Sequence, residues 1–270
     1  MERERGLQGE EGFGVSTIVR VENLHKSFGG IVVADDVNLS FETGEIVGLI
    51  GPNGAGKTSL FNLISGVIPP DAGSIFLEDH RVDQLPMHHR ARIGLARTWQ
   101  NTRMFHSMSV IDNLLIATRR YPGESLARIL FRRRALDAFR EEATQKAVAL
   151  LERVGLADKM HEMAIELSYG QQKRIGLARA LMSDAACLLL DEPMAGVEGQ
   201  AYETIIRVIR EEAQAGRAVC VVEHNISFIR DISDRTVFMF NGCVLASGSV
   251  EELTRDSQLT DLYFGGEHPQ

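Results

Sequence analysis

The chain has 270 residues, 44% hydrophobic and 24% charged, a composition that supports the core of an ordinary globular protein in one large or two modest domains. Its 29 basic and 37 acidic side chains leave a net charge of −8 at neutral pH, which argues against a nucleic-acid partner, because such binding rests on Lys and Arg neutralising phosphates. Cys187, Cys220 and Cys243 form no CxxC pair and leave one thiol over in any disulfide scheme, as in a reducing, cytosolic compartment, and no apolar run approaches the roughly 18 residues of a membrane span.

Residues 1–14 are charged and glycine-rich without an apolar stretch, and are expected to form a loose tail rather than a secretory leader. Short β-branched runs at 18–24 and 31–41 predict strands, and the apolar run in 45–50 predicts a buried one. A glycine-rich turn and a helix over 58–64 follow. Pro69-Pro70-Asp71-Ala72-Gly73 is turn chemistry, and 74–78 alternates as a half-buried strand does. From 110 to 155 the pattern is helical: Leu136, Phe139, Ala143, Ala147, Leu150, Leu151 and Val154 recur at steps of three and four, with Gly155 as the stop. A further helix is expected over 171–182. Buried strands at 186–190 and 218–223 flank a charged helix pattern over 202–215, the order of a βαβ unit and a parallel sheet. Asn241-Gly242 between apolar runs predicts a hairpin, and Ser249 with Glu252 a capping box opening a last helix.

Three features carry chemistry. Residues 51–58, from Gly51 through Pro52, Asn53, Gly54, Ala55, Gly56 and Lys57 to Thr58, fit G-x-x-x-x-G-K-[ST] between a predicted strand and a predicted helix. Glycines there let successive amides face one anion at a helix N-terminus, Lys57 reaches the β and γ phosphates, and Thr58 offers Mg2+ a hard oxygen. Asp191 and Glu192 end an apolar strand at the carboxyl edge of the sheet, where α/β proteins bind ligands: Asp191 is expected to hold Mg2+ through water and Glu192 to serve as general base. Ser168 and Gly170 precede the 171–182 helix and make a second anion-facing helix start.

Leu167-Ser168-Tyr169-Gly170-Gln171, 23 residues before Asp191, resembles the signature motif of ABC transporter ATPases, and the resemblance extends over almost the whole chain. It implies an α/β P-loop NTPase with a RecA-like core, an antiparallel β subdomain and a helical signature subdomain. The divisions expected are a tail (1–16), the β subdomain with the first part of the core (17–100), the helical subdomain (101–182), the second part of the core (183–248) and C-terminal helices (249–270). It further implies that Gln100 is the Q-loop glutamine and a Mg2+ ligand, that His224 is the switch histidine, that Phe28 stacks on adenine, and that Ser59 extends the nucleotide-binding loop. Ser168, Gly170 and Gln171 are then expected to close over the γ phosphate of a second, identical or homologous ATPase packed head to tail, so that an isolated monomer hydrolyses poorly.

Two departures from the family pattern stand out. Glu198 occupies the turn after Pro193 where the family usually carries Ala-Leu-Asp or Gly-Leu-Asn, and Asn225 follows His224 where Asp is frequent. More finely, Arg97-Thr98-Trp99-Gln100-Asn101 and Leu167 to Gln172 are similar to segments of the ATPases that drive import of branched-chain and other hydrophobic amino acids, as is the extra length between Thr118 and Ala135 with its arginines Arg132, Arg133 and Arg134. That resemblance implies a peripheral subunit on the cytoplasmic face of a bacterial inner membrane, seated on two permease subunits and served indirectly by a periplasmic binding protein. The alternatives are a lipopolysaccharide-export ATPase and a soluble ABC ATPase of DNA repair or translation. The segment 101–115, with Met104, Phe105, Met108 and Val110, is expected to form a groove for a permease helix.

Overall fold

The computed structural model describes residues 16–100, 103–119 and 133–264. The expected tail before Ser16, Asn101, Arg132 and residues 265–270 lie outside the described residues.

Strands β1 (Thr17–Phe28) and β2 (Ile31–Glu42) pair antiparallel, and β3 (Ile46–Ile50) is buried along its whole length. Helix α1 (Lys57–Ser65) follows the glycine-rich turn, after which β4 (Ala72–Leu77) returns to pair with β1, and β5 (His80–Arg81) adds to it. Then come α2 (Met87–Ile93), β6 (Leu95–Arg97), α3 (Val110–Leu115) and α4 (Arg133–Arg153). The signature helix α5 (Tyr169–Leu181) leads to β7 (Cys187–Asp191), α6 (Gln200–Gln214) and β8 (Ala218–Val222). The chain continues through α7 (Ile226–Ile232), β9 (Arg235–Phe240), β10 (Cys243–Gly248), α8 (Val250–Arg255) and α9 (Ser257–Phe264). Asn241 and Gly242 both take positive φ between β9 and β10, as a two-residue hairpin requires, and the Ser249 capping box opens α8.

Two sheets result. One is antiparallel in the order β2-β1-β4-β5; the other runs β10-β9-β3-β8-β7-β6, parallel except for β10. The alternation of side chains along the parallel strands divides the core in two. Ile46, Ile50, Leu188, Leu190, Val219 and Val221 join the core of the signature helix and its neighbours. Val47, Leu49, Cys187, Leu189, Cys220 and Val222 join the core beneath α1 and the antiparallel sheet. Strands buried on both faces read as continuous apolar runs, which is why β3, β7 and β8 are visible in the sequence.

Among the described residues, the predicted helical stretch from 110 to 155 holds α3 and α4, and the strand predicted to stop at 24 runs to Phe28, carried past Leu24 by irregularities in its pairing. Gly155 takes φ 67 just beyond α4, as the stop signal requires. Among the described residues no helix is long and apolar enough to cross a membrane.

Candidate functional site

Because β3, β6, β7 and β8 run parallel, the segments that leave their carboxyl ends gather at one edge of the sheet. The first is the phosphate-type loop. Gly51 and Gly56 take φ of 150° and 104°, and a Cβ at either would collide with a backbone carbonyl, of Met239 and Val33 respectively, so no other residue fits. Ala55 is buried and its carbonyl accepts from Gly242 N at 2.9 Å, while Asn53, Gly54 and Thr58 are exposed and Pro52 and Ser59 half-buried. Lys57 is buried at the first position of α1, and its Nζ donates to the carbonyls of Gly51 (2.6 Å) and Pro52 (2.9 Å). Burial lowers its pKa, opposed by the carboxylates of Glu192 and Asp191.

The two acids at the end of β7 face different surroundings. Asp191 is buried, its amide donates to Thr98 Oγ1 (3.0 Å), and Arg97 Nη2 donates to its Oδ2 (3.0 Å). Burial raises the Asp191 pKa against the pull of Arg97. Glu192 turns out of the strand at φ 47, with its amide donating to Val222 O (2.9 Å), and presents its carboxylate to the open edge. Gln100 Nε2 donates to Glu192 Oε2 (2.9 Å), and His224 Nε2 stands 3.3 Å from Oε1. Gln100 therefore contacts Glu192, the expected base, rather than Asp191. Asn225 caps α7 through Oδ1, which accepts from Phe228 N (3.2 Å), and Glu198 is exposed.

Phe28, at the end of β1, is exposed by 48% and belongs to neither core. It pairs with Ile31, two residues before the Val33 carbonyl that packs on Gly56, and Lys26 Nζ lies 5.1 Å from its ring centroid.

Ser168 and Gln171 close a capping box at the start of α5: Ser168 N donates to Gln171 Oε1 (2.8 Å) and Gln171 N to Ser168 Oγ (3.3 Å). Gly170 lies so close to the Gly196 carbonyl that a Cβ would stand 2.7 Å from it, so the signature start packs on the turn after β7 in its own chain.

Three residues that motif reasoning does not single out organise this edge. Buried Lys173, one turn into α5, donates to the backbone carbonyls of Gln100 (2.6 Å) and Glu192 (3.0 Å), tying the signature helix to both. Buried Glu223 accepts from Met194 N (2.8 Å) and His224 N (3.2 Å). Arg97, besides holding Asp191, donates to Asn62 and Ser65 of α1. Lys173 and Glu223 signal themselves only as charged residues inside or beside an apolar pattern, and Arg97 stands in the Arg97 to Asn101 segment with no role read from it in the sequence.

Among the described residues no cluster of three His, Cys, Asp or Glu side chains could hold a metal. The oxygens expected to hold Mg2+, of the Thr58 hydroxyl, the Asp191 carboxylate and the Gln100 amide, are a hard donor set that suits Mg2+ sharing its sphere with phosphate and water and does not suit a soft transition metal.

Beside β6, α2 and α5 enclose a cavity of about 570 Å3 whose wall includes Met87, Arg97, Trp99, Phe105, Leu177 and Arg179. Of the residues expected to line a groove here, Phe105 is exposed, whereas Met104 and Val110 are buried in the helical core.

A family model described as ABC transporter matches residues 34–195. The high-affinity branched-chain amino acid transport ATP-binding protein LivG of Escherichia coli K12 is 34% identical over 249 residues, covering 92% of this chain and 98% of the relative. The lipopolysaccharide export system ATP-binding protein LptB of the same strain is 34% identical over 244 residues, covering 90% and 95%. A solved ADP conformation of an ATP-binding cassette from an ABC transporter superposes with a TM-score of 0.78 at 30% identity, covering 93% of this chain and 99% of that one. With the phosphate loop, the strand-end acids and the signature helix converging on one sheet edge, these likenesses establish that the chain belongs to the ABC transporter family, as an ATP-binding, ATP-hydrolysing cassette.

Proposed function

We propose that this chain is the Mg2+-dependent ATPase of a bacterial importer for branched-chain or related hydrophobic amino acids, bound to the cytoplasmic face of the inner membrane. The observation that carries the chemistry is the convergence of Lys57, Asp191 and Glu192 at one edge, with Gln100 and His224 contacting the two oxygens of Glu192. In this reading Phe28 stacks on adenine and the amides of residues 51–59 surround the phosphates. Lys57 exchanges its bonds to the loop carbonyls for the β and γ phosphates. Thr58, Asp191 and Gln100 hold Mg2+, which when bound neutralises charge on the phosphate oxygens. Glu192 takes a proton from water as its oxygen bonds to the γ phosphorus, and the bond to the bridging oxygen breaks to release ADP. His224 fixes the Glu192 carboxylate and the transferred phosphoryl group.

Ser168, Gly170 and Gln171 serve the γ phosphate of a second, identical or homologous ATPase arranged head to tail. The expected divisions, with 17–100 and 183–248 around the nucleotide, 101–182 carrying the signature and 249–270 closing the chain, follow the same reading. The cavity beside Trp99 and Phe105 receives a cytoplasmic segment of one of two permease subunits, and a periplasmic binding protein delivers cargo to those permeases.

Lipopolysaccharide export is the second reading, favoured by the LptB relative at an identity equal to that of LivG. The Arg97 to Asn101 and Leu167 to Gln172 segments support the importer. Leucine uptake in a strain lacking this chain tests the choice: uptake is expected to fall to background and return with the parent gene. Normal uptake combined with failing lipopolysaccharide export would assign the chain to the second reading.

A further inference from the structure

The side chain of Arg97, the last residue of β6, is only 5% exposed, yet its guanidinium is shared by three parts of the molecule. Nη2 donates to Asp191 Oδ2 at 3.0 Å. Nη1 donates to Asn62 Oδ1 (2.7 Å) and Ser65 Oγ (3.0 Å), both on the helix that begins with Lys57. The guanidinium carbon lies 4.4 Å from the ring centroid of Trp99 and 5.5 Å from that of Phe61. Arg97 and Trp99 both line the 570 Å3 cavity, so one side chain touches the strand-end acid at one end and the groove wall at the other.

The bonding of this group is lopsided. Nε is buried without a hydrogen-bond partner among the described residues, and a buried N–H left unpaired carries a desolvation cost. The aromatic faces therefore do part of the work of fixing the guanidinium plane. A guanidinium is planar and rigid, so its two arms cannot move independently. With Nη1 pinned to α1, a displacement of the Asp191 carboxylate must be taken up as a tilt of the plane against the Trp99 ring. Such a displacement is what a divalent cation drawing on Asp191 would impose.

We propose that Arg97 is a positioning residue that fixes Asp191 from behind and passes the loading of that carboxylate to the indole of Trp99, so that the groove wall registers whether the metal–nucleotide site is filled. The inference rests on the reading of this edge as a Mg2+–ATP site. Coupling of this kind is reciprocal: an occupant of the groove that presses on Trp99 alters the setting of Asp191 by the same amount of free energy.

Trp99 is the only tryptophan in the chain, so intrinsic indole emission belongs to it alone. The test uses the full chain carrying Glu192→Gln, held with saturating ATP while Mg2+ is titrated, with ATP binding followed separately by calorimetry. Emission is expected to shift as Mg2+ is added and to stay unchanged with ATP and a chelator. Arg97→Lys keeps the charge but cannot bond Asp191 and α1 from one plane; it is expected to lose most of the shift and to raise the half-saturating Mg2+ concentration roughly 10-fold. Asn62→Ala, which preserves the helix and removes one anchor of the guanidinium, is expected to fall between, and it carries the test should Arg97→Lys fail to fold. Emission indifferent to Mg2+ while calorimetry reports Mg2+–ATP binding would overturn the proposal, as would folded variants matching the Glu192→Gln chain in both emission and Mg2+ requirement. Absence of ATP binding in calorimetry would instead overturn the site reading beneath it, and this inference with it.

Discussion

Two backbone N–H groups, of Met194 and His224, converge on the buried Glu223 carboxylate. Glutamine offers one acceptor where two are used and sets its NH2 against the second N–H, so Glu223→Gln is expected to lower stability by about 1–3 kcal/mol. Burial raises the Glu223 pKa above its ordinary 4.5 despite those two bonds. The native state thus binds this proton more tightly than the unfolded chain; the stability this provides is complete below the unfolded value and is lost as pH rises through the native one. The gap between parent and variant, read from urea midpoints, is therefore expected to be wider at about pH 5 than at about pH 8. An equal gap at both would contradict the assignment. Residues of this kind are not legible in the sequence, because their partners are distant: 94 positions separate Arg97 from Asp191, 73 separate Lys173 from Gln100, and 29 separate Glu223 from Met194. Lys57, Asp191 and Glu192 are legible because their setting is local, a glycine loop between strand and helix and a pair of acids ending an apolar run.

Among the elements, α1 matters most to the site, since it begins at Lys57 and its far end carries unpaired carbonyls that need partners. Arg90, 1% exposed on α2, supplies them. Its Nη1 donates to Leu63 O (2.7 Å) and Ile64 O (2.8 Å), its Nε to Leu85 O (2.8 Å) and its Nη2 to Asp83 O (2.9 Å). Burial brings its pKa down to about 10, which leaves it charged at neutral pH, where it also complements the negative end of the helix. Arg90→Leu leaves the carbonyls of Ile64, Leu85 and Asp83 without this donor and Leu63 O with Gly66 N alone, and is expected to lower stability by about 3 kcal/mol or more, with weaker ATP binding if α1 carries the phosphate contact proposed above. An unfolding free energy, read from urea titration, within about 0.5 kcal/mol of the parent would contradict this role for Arg90. Helix α2, strand β6 and helix α7, with 7, 3 and 7 residues, are too short to establish a period in the sequence. By contrast, α6 spans 15 residues and announces itself through its apolar stripe.

Over the whole molecule, the parallel sheet is a wall between two cores, one beneath the antiparallel sheet and α1, the other beneath the signature helix. The proposed nucleotide chemistry lies where that wall ends, so that loop residues reach the site while their strands stay packed on both faces. Lys173 ties the signature helix to this edge, which lets a shift of that helix reach Gln100 and Glu192 directly. On the proposed function, this edge hydrolyses ATP with Glu192 as the base. Steady-state ATP turnover of the full chain, compared with Glu192→Gln at matched concentration, tests it most directly. Turnover by the parent is expected to require Mg2+, and the substitution to reduce it by roughly 10² to 10⁴ while ATP affinity is retained. Hydrolysis by the variant at the parental rate would contradict the claim.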